Sequence, residues 1–148
     1  MTFDTRLRWL KFASTLTFGF GLVIAAAAVP ELAMPTALLA DLIFYPIDGL
    51  PAIAASSERL LSAIGGGVMT GWGVMLYMIT DNIVTREPAA GRRLILAGIG
   101  AWYVIDSSMS IAAGAPLNAL FNTVFLLLFV VPVWSLGKPG IAGSAAVS

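Results

Sequence analysis

The chain contains no cysteine and no histidine. The first absence removes disulfides, thiolate metal sites and cysteine nucleophiles. The second removes the usual imidazole ligand for zinc, copper or haem, and the commonest general base near neutral pH. Charge is also scarce. Charged residues make up 11% of the 148 positions, against roughly 25% in an average soluble domain. Such a chain cannot cover a water-facing surface, so most of its surface must face something apolar. Formal net charge is zero. Phosphate binding needs a basic excess, so nucleic acid is not an expected partner. The six methionines are scattered and show no metal-ligand spacing. No GxSxG, HExxH or CxxC motif is present, and the chain is not expected to be an enzyme or to carry a cofactor.

What the chain has instead is long apolar runs, with 59% hydrophobic residues. A membrane-crossing helix needs roughly 20 apolar residues, each advancing ~1.5 Å across a core of ~30 Å. Four segments qualify: Trp9 to Val29, Leu60 to Thr80, Leu94 to Ala113 and Leu117 to Leu136. The expected fold is therefore all-α, a polytopic membrane protein whose residues 1–136 form one four-helix bundle. A flexible tail is expected over 137–148. Arg6, Arg8 and Lys11 before the first segment resemble the start of a signal peptide, and Ala25 to Ala28 offer small residues for cleavage. The apolar run is longer than a signal core, so a retained helix is expected.

Basic residues set the orientation. Arg6, Arg8, Lys11, Arg86, Arg92, Arg93 and Lys138 fall on one side, and Arg59 alone falls on the other. Cytoplasmic loops carry the basic excess. Both termini are thus expected in the cytoplasm, and the protein in a bacterial inner membrane. The long connection from Pro30 to Ser57 then lies outside. Its TALLADLIFY stretch, Thr36 to Tyr45, is too short to span. It reads as a short interfacial helix with Asp41 towards water and Leu38, Leu39, Leu42 and Ile43 towards lipid or the bundle. The segment Pro46 to Pro51 turns the chain back. Asp41 and Asp48 form no convincing carboxylate pair.

Two constellations stand out. The second segment carries Gly65, Gly66, Gly67, Gly71 and Gly73. Glycine lets membrane helices approach closely. Ala63, Gly67 and Gly71 make one small-residue face, and Ser62, Gly66 and Thr70 make a second beside it. The first face is expected to pack within the bundle; the alternative is a docking face for another subunit or a flat cofactor. No Lys-Ser or Lys-Thr follows the glycines, so they are no phosphate loop. The third segment carries Asp106 about two turns from its outer end. A carboxylate costs ~2.5–3.5 kcal/mol at the centre of a membrane helix, so it should face inward and find a partner. Arg59 is the cation on that half, and an Arg59–Asp106 pair is expected. Ser62, Ser110, Asn118 and Asn122 complete a candidate polar cluster. Its plain role is hydrogen bonding between helices; its functional role would be a pocket for a head group, a solute or a proton. Trp72 and Trp102 are expected to pack in the bundle. Trp9 and Trp134 suit an interfacial belt.

The Ser57-Glu58-Arg59 entry to the second segment, its glycine run and the Arg92-Arg93 start of the third resemble small four-helix inner-membrane proteins of bacteria with no assigned activity. That resemblance spans residues 5 to 136. It implies the fold and nothing about chemistry. The expected role is an accessory or assembly subunit that docks on a larger membrane complex. The expected partners are the lipid bilayer and other membrane-protein subunits or a second copy. The alternatives are a small-solute or proton carrier using Asp106, or a lipid- or pigment-binding protein using Trp72 and Trp102.

Overall fold

The computed structural model describes residues 1–44, 53 and 55–137. The expected turn at 46–51, Asp48, Lys138 and the tail beyond Gly137 lie outside the described residues. The described residues form five α-helices and no strand. They are α1 (Phe3–Ala26), α2 (Met34–Ile43), α3 (Ser56–Ile79), α4 (Pro88–Ala112) and α5 (Pro116–Val133). A 3-10 turn, Pro30–Leu32, precedes α2, and a π-helical turn, Thr80–Val84, extends α3. Four of these helices are long and apolar enough to cross a membrane, with α3 and its π turn running unbroken over Ser56–Val84.

Local chemistry explains where the helices begin. Pro35, Pro88 and Pro116 stand in the first turns of α2, α4 and α5. Proline is tolerated there because the N–H it lacks would have no helical partner. The N-cap Thr2 accepts the Thr5 N–H at 3.2 Å, and Asp4 sits in the first turn against the helix dipole. Hence α1 starts six residues before the apolar run at Trp9. At the head of α3, the Glu58 carboxylate accepts the Ala55 N–H at 2.7 Å, half of a capping box.

The helices associate in antiparallel pairs. α1 lies along α3, α4 along α5, and α1 also meets α5. The α1–α3 contact is made by backbones. A Cβ built on Gly66 would lie 2.6 Å from both Ala25 Cα and Gly21 O, and one on Gly21 would lie 2.8 Å from Gly66 O. One on Gly73 would meet Phe18 N at 2.5 Å. Only glycine fits these three places. The expected within-bundle packing of Ala63, Gly67 and Gly71 is therefore corrected. The neighbouring stripe of Gly66 and Thr70, continued by Gly73, takes that contact, and Gly67 and Gly71 are exposed with no atom within 4 Å of a built Cβ. A helix 3.6 residues per turn cannot turn both stripes to the same neighbour.

The buried core gathers nearer the arginine-rich end. Leu10 and Ala13 of α1 meet Leu76 of α3, Val84, Ile95 and Ile99 of α4, and Phe129 and Val133 of α5. At that end Lys11 donates to Asp81 at 2.5 Å, tying α1 to the π turn. Both side chains are partly exposed, so the pair is a solvent-screened tether and adds little to stability. The Arg6 guanidinium donates to Pro132 O at 2.8 Å, a cation on the last carbonyls of α5. Arg6→Gln should lower stability by about 1 kcal/mol, read as a lower midpoint when the protein is unfolded in detergent. An unchanged midpoint would show that the contact is replaceable.

α2 packs against α1 and α5, and the Thr36 hydroxyl donates to Val23 O at 3.1 Å. The expectation that Asp41 faces water is overturned: it is buried, at 9% exposure. Leu38, Leu42 and Phe44 are exposed instead. A short helix seated on other helices turns its polar group inward against them, the reverse of a helix that faces water with that side.

Candidate functional site

Two places carry the chemistry. The first is a polar ladder between α4 and α5. It exists because the two helices form a tight hairpin joined by Ala113, Gly114 and Ala115. Gly114 has φ +81°, a left-handed conformation that glycine adopts without strain. The Ala113 and Ala115 N–H groups donate to Met109 O and Ser110 O, both at 2.9 Å, and close α4. The chain reverses at once, and residues equidistant from the turn face each other.

From the turn inwards, Asn118 Nδ2 donates to Ser110 Oγ at 2.8 Å, and Ser110 Oγ donates to Asp106 Oδ1 at 3.3 Å. Asn122 Nδ2 donates to Asp106 Oδ2 at 3.1 Å and to Ser107 Oγ at 3.2 Å. One turn deeper, Tyr103 and Thr123 share a hydroxyl–hydroxyl bond of 2.9 Å. Asp106 is half-buried, while Ser107 and Asn122 are buried. Neighbouring Val104, Ile105 and Met109 point outward, so the ladder sits at the level of an apolar surface.

The structure thus brings Asp106, Ser110, Asn118 and Asn122 together and leaves Arg59 and Ser62 out. The Arg59–Asp106 pair does not form. Arg59 Nη2 donates to Ser56 Oγ at 3.3 Å, and Ser62 Oγ donates to Glu58 O at 2.9 Å, both within α3. Asp106 faces α5, so a cation on α3 lies off its side of the helix. Reading the sequence by helix faces missed Ser107, Tyr103 and Thr123. The three-residue connection with its Gly-Ala-Pro signal was the clue, because helices so joined must be neighbours.

Compared with known protein families, curated proteins and solved structures, the chain matches none. The resemblance to small four-helix inner-membrane proteins therefore gains no support from them, and any functional reading rests on the residues themselves.

The second place is a groove of about 430 Å³ between α3 and α4, lined by Val68, Gly71, Trp72, Met75, Gly98 and Trp102. Its inner wall is a ring cluster. Trp72 and Trp102 stand 5.5 Å apart, and Phe125 of α5 lies 5.5 Å from Trp102 and 6.4 Å from Trp72. These rings bridge α3 to the α4–α5 hairpin. Tilted and edge-on ring pairs of this kind contribute ~0.5–1.5 kcal/mol each beyond area burial. Gly71 and Gly98 have no atom within 4 Å of a built Cβ, and Val68 is 69% exposed. Open glycines beside a rigid aromatic wall leave backbone accessible from outside. Among the described residues, no three acidic side chains gather in a way that would hold a metal ion.

Proposed function

We propose that this chain is a non-enzymatic integral membrane protein that works by contact. In this reading it is an accessory or assembly subunit of a larger membrane complex, and a transmembrane helix of another subunit seats in the α3–α4 groove. The observation that carries it is the outward glycine face. Gly67, Gly71 and Gly98 are not used for packing within the chain, although glycine in a membrane helix serves chiefly to let a second helix come close. The apolar lining suits a helix side chain, and Val68 and Met75 supply the rims.

The reading extends to packing and placement. The four long helices act as one bundle in a bacterial cytoplasmic membrane with both termini inside, supported by the seven-to-one distribution of basic residues. Purification in mild detergent followed by mass spectrometry tests the central point. The expected result is a defined second polypeptide at fixed stoichiometry. A chain that runs alone in every mild detergent would sink the proposal.

A further inference from the structure

A second groove, of about 260 Å³, runs between α1 and α3. Ser14, Thr15 and Phe18 of α1 face Val74 and Tyr77 of α3 across it, and Gly73 lies at its floor. Backbone closes that floor, because a Cβ built on Gly73 would lie 2.5 Å from Phe18 N. The Ser14 and Thr15 hydroxyls donate to Leu10 O and Lys11 O, at 2.7 and 2.9 Å. With both spent on α1 itself, the walls are apolar in effect and suit a hydrocarbon more than a polar solute. Phe18 and Val74 lie two turns from Lys11 and Asp81, about 10 Å along the helix axes.

One end of this groove is charged. Lys11 Nζ donates to Asp81 Oδ1, on the π turn, and stands 5.4 Å from the centroid of the Tyr77 ring. The two charged side chains are 34% and 48% exposed, so pairing does not seal either of them. An ammonium has three donors and a carboxylate about four lone-pair sites, and the pair consumes one of each. No described residue bonds to Asp81 Oδ2 or to the Tyr77 hydroxyl. The mouth of an apolar furrow thus presents a cation with spare donors beside an anion with a spare oxygen. A purely anionic group would be drawn to Lys11 and repelled by Asp81. A group carrying an anion and a hydrogen-bonding cation close together would meet its opposite at both.

We propose that the α1–α3 groove holds one acyl chain of a phospholipid whose head carries both a phosphate and a primary ammonium, with that head on the Lys11–Asp81 pair. The phosphate accepts from the remaining Lys11 N–H groups and from the Tyr77 hydroxyl, and the ammonium donates to Asp81 Oδ2. Both are charge-assisted bonds, stronger than neutral ones. The chain then runs along Thr15, Tyr77, Phe18 and Val74 towards the middle of the bundle. A choline head has no N–H to give Asp81, and a glycerol head has no cation for it, so the pair selects against both. The lipid comes from the leaflet on the arginine-rich side. This inference rests on the reading that the long helices lie in a bilayer; it does not depend on a partner helix in the α3–α4 groove.

Native mass spectrometry of the full chain, titrated in mild detergent with lipids of identical acyl chains, tests this. An alkaline wash of native membranes comes first. A chain released by the wash would overturn the bilayer reading and this inference with it. From an embedded chain, the expected result is one saturable copy of phosphatidylethanolamine, bound several-fold tighter than phosphatidylcholine or phosphatidylglycerol. Asp81→Asn removes the acceptor for the ammonium and frees Lys11, so it should turn the preference towards phosphatidylglycerol. Val74→Phe leaves the pair intact and fills the groove, so it should weaken phosphatidylethanolamine several-fold. Equal binding of the three lipids to the parent chain, or a parent preference for phosphatidylglycerol, would overturn the proposal while leaving the bilayer reading in place. So would a preference that Asp81→Asn leaves unaltered. Val74 is 49% exposed, so its variant keeps the parent fold, and undiminished binding to it would count equally against the proposal.

Discussion

Adding a single methyl at position 66 should largely separate α1 from α3, whereas the same methyl at position 67 should do nothing. Gly66→Ala places a Cβ against the backbone of Ala25 and 2.6 Å from the carbonyl oxygen of Gly21. Neither obstacle is the movable end of a side chain. The helices must part by a large fraction of an ångström along their closest contact. Overpacking of a tight interior costs ~1–3 kcal/mol and occasionally more; a clash with backbone belongs at the upper end, about 3 kcal/mol. Gly67→Ala meets nothing within 4 Å, so its effect should stay within about 0.5 kcal/mol, as for a surface substitution. Unfolding in mixed micelles, followed by helical circular dichroism, compares the two. Equal losses would mean that α3 does not present Gly66 to α1.

Gly71→Leu should then spare the fold and abolish association. Its Cβ also meets open space, so the isolated chain should unfold with the parent midpoint. The leucine, however, fills the floor of the groove beside Trp72. A helix seated there loses its close approach, and the rim contacts of Val68 and Met75 go with it. Recovery of the partner should fall at least tenfold, about 1.4 kcal/mol. Gly98→Leu, on the opposite wall, should act alike, whereas leucine at Gly19, which also has open space but lies away from the groove, should leave recovery unchanged. Loss of association in the Gly19 variant would point to a general membrane defect instead of a site.

Much of the architecture could be read before any coordinates. The apolar runs located four long helices, because length and hydropathy are all that a bilayer demands. Helix starts were less legible: α4 begins at Pro88, six residues before the expected Leu94, because proline fits the first turn of a helix. The choice among glycine faces was not readable. Ala63-Gly67-Gly71 and Ser62-Gly66-Thr70 are equivalent as patterns, and only the placement of α1 decides which is covered. Asp106 was readable as a residue in need of partners, but the partner assigned to it was wrong. Charge suggested Arg59, whereas the Gly114 turn delivers Asn122. Short-range connectivity outweighed long-range electrostatics, since a three-residue loop leaves α4 and α5 no choice but to pair. Asp41 failed for a related reason. A short amphipathic helix can seat on water or on protein, and the pattern is the same with its sense reversed.

The most direct test of action by contact is photo-crosslinking from position 68 in native membranes. Val68 lines the groove and is 69% exposed, while Ile105, at 65% exposure, lies outside it and serves as the control. The account predicts a single polypeptide adduct from position 68, lost when Gly71→Leu is added, and only lipid adducts from position 105. Lipid adducts alone from both positions would contradict it.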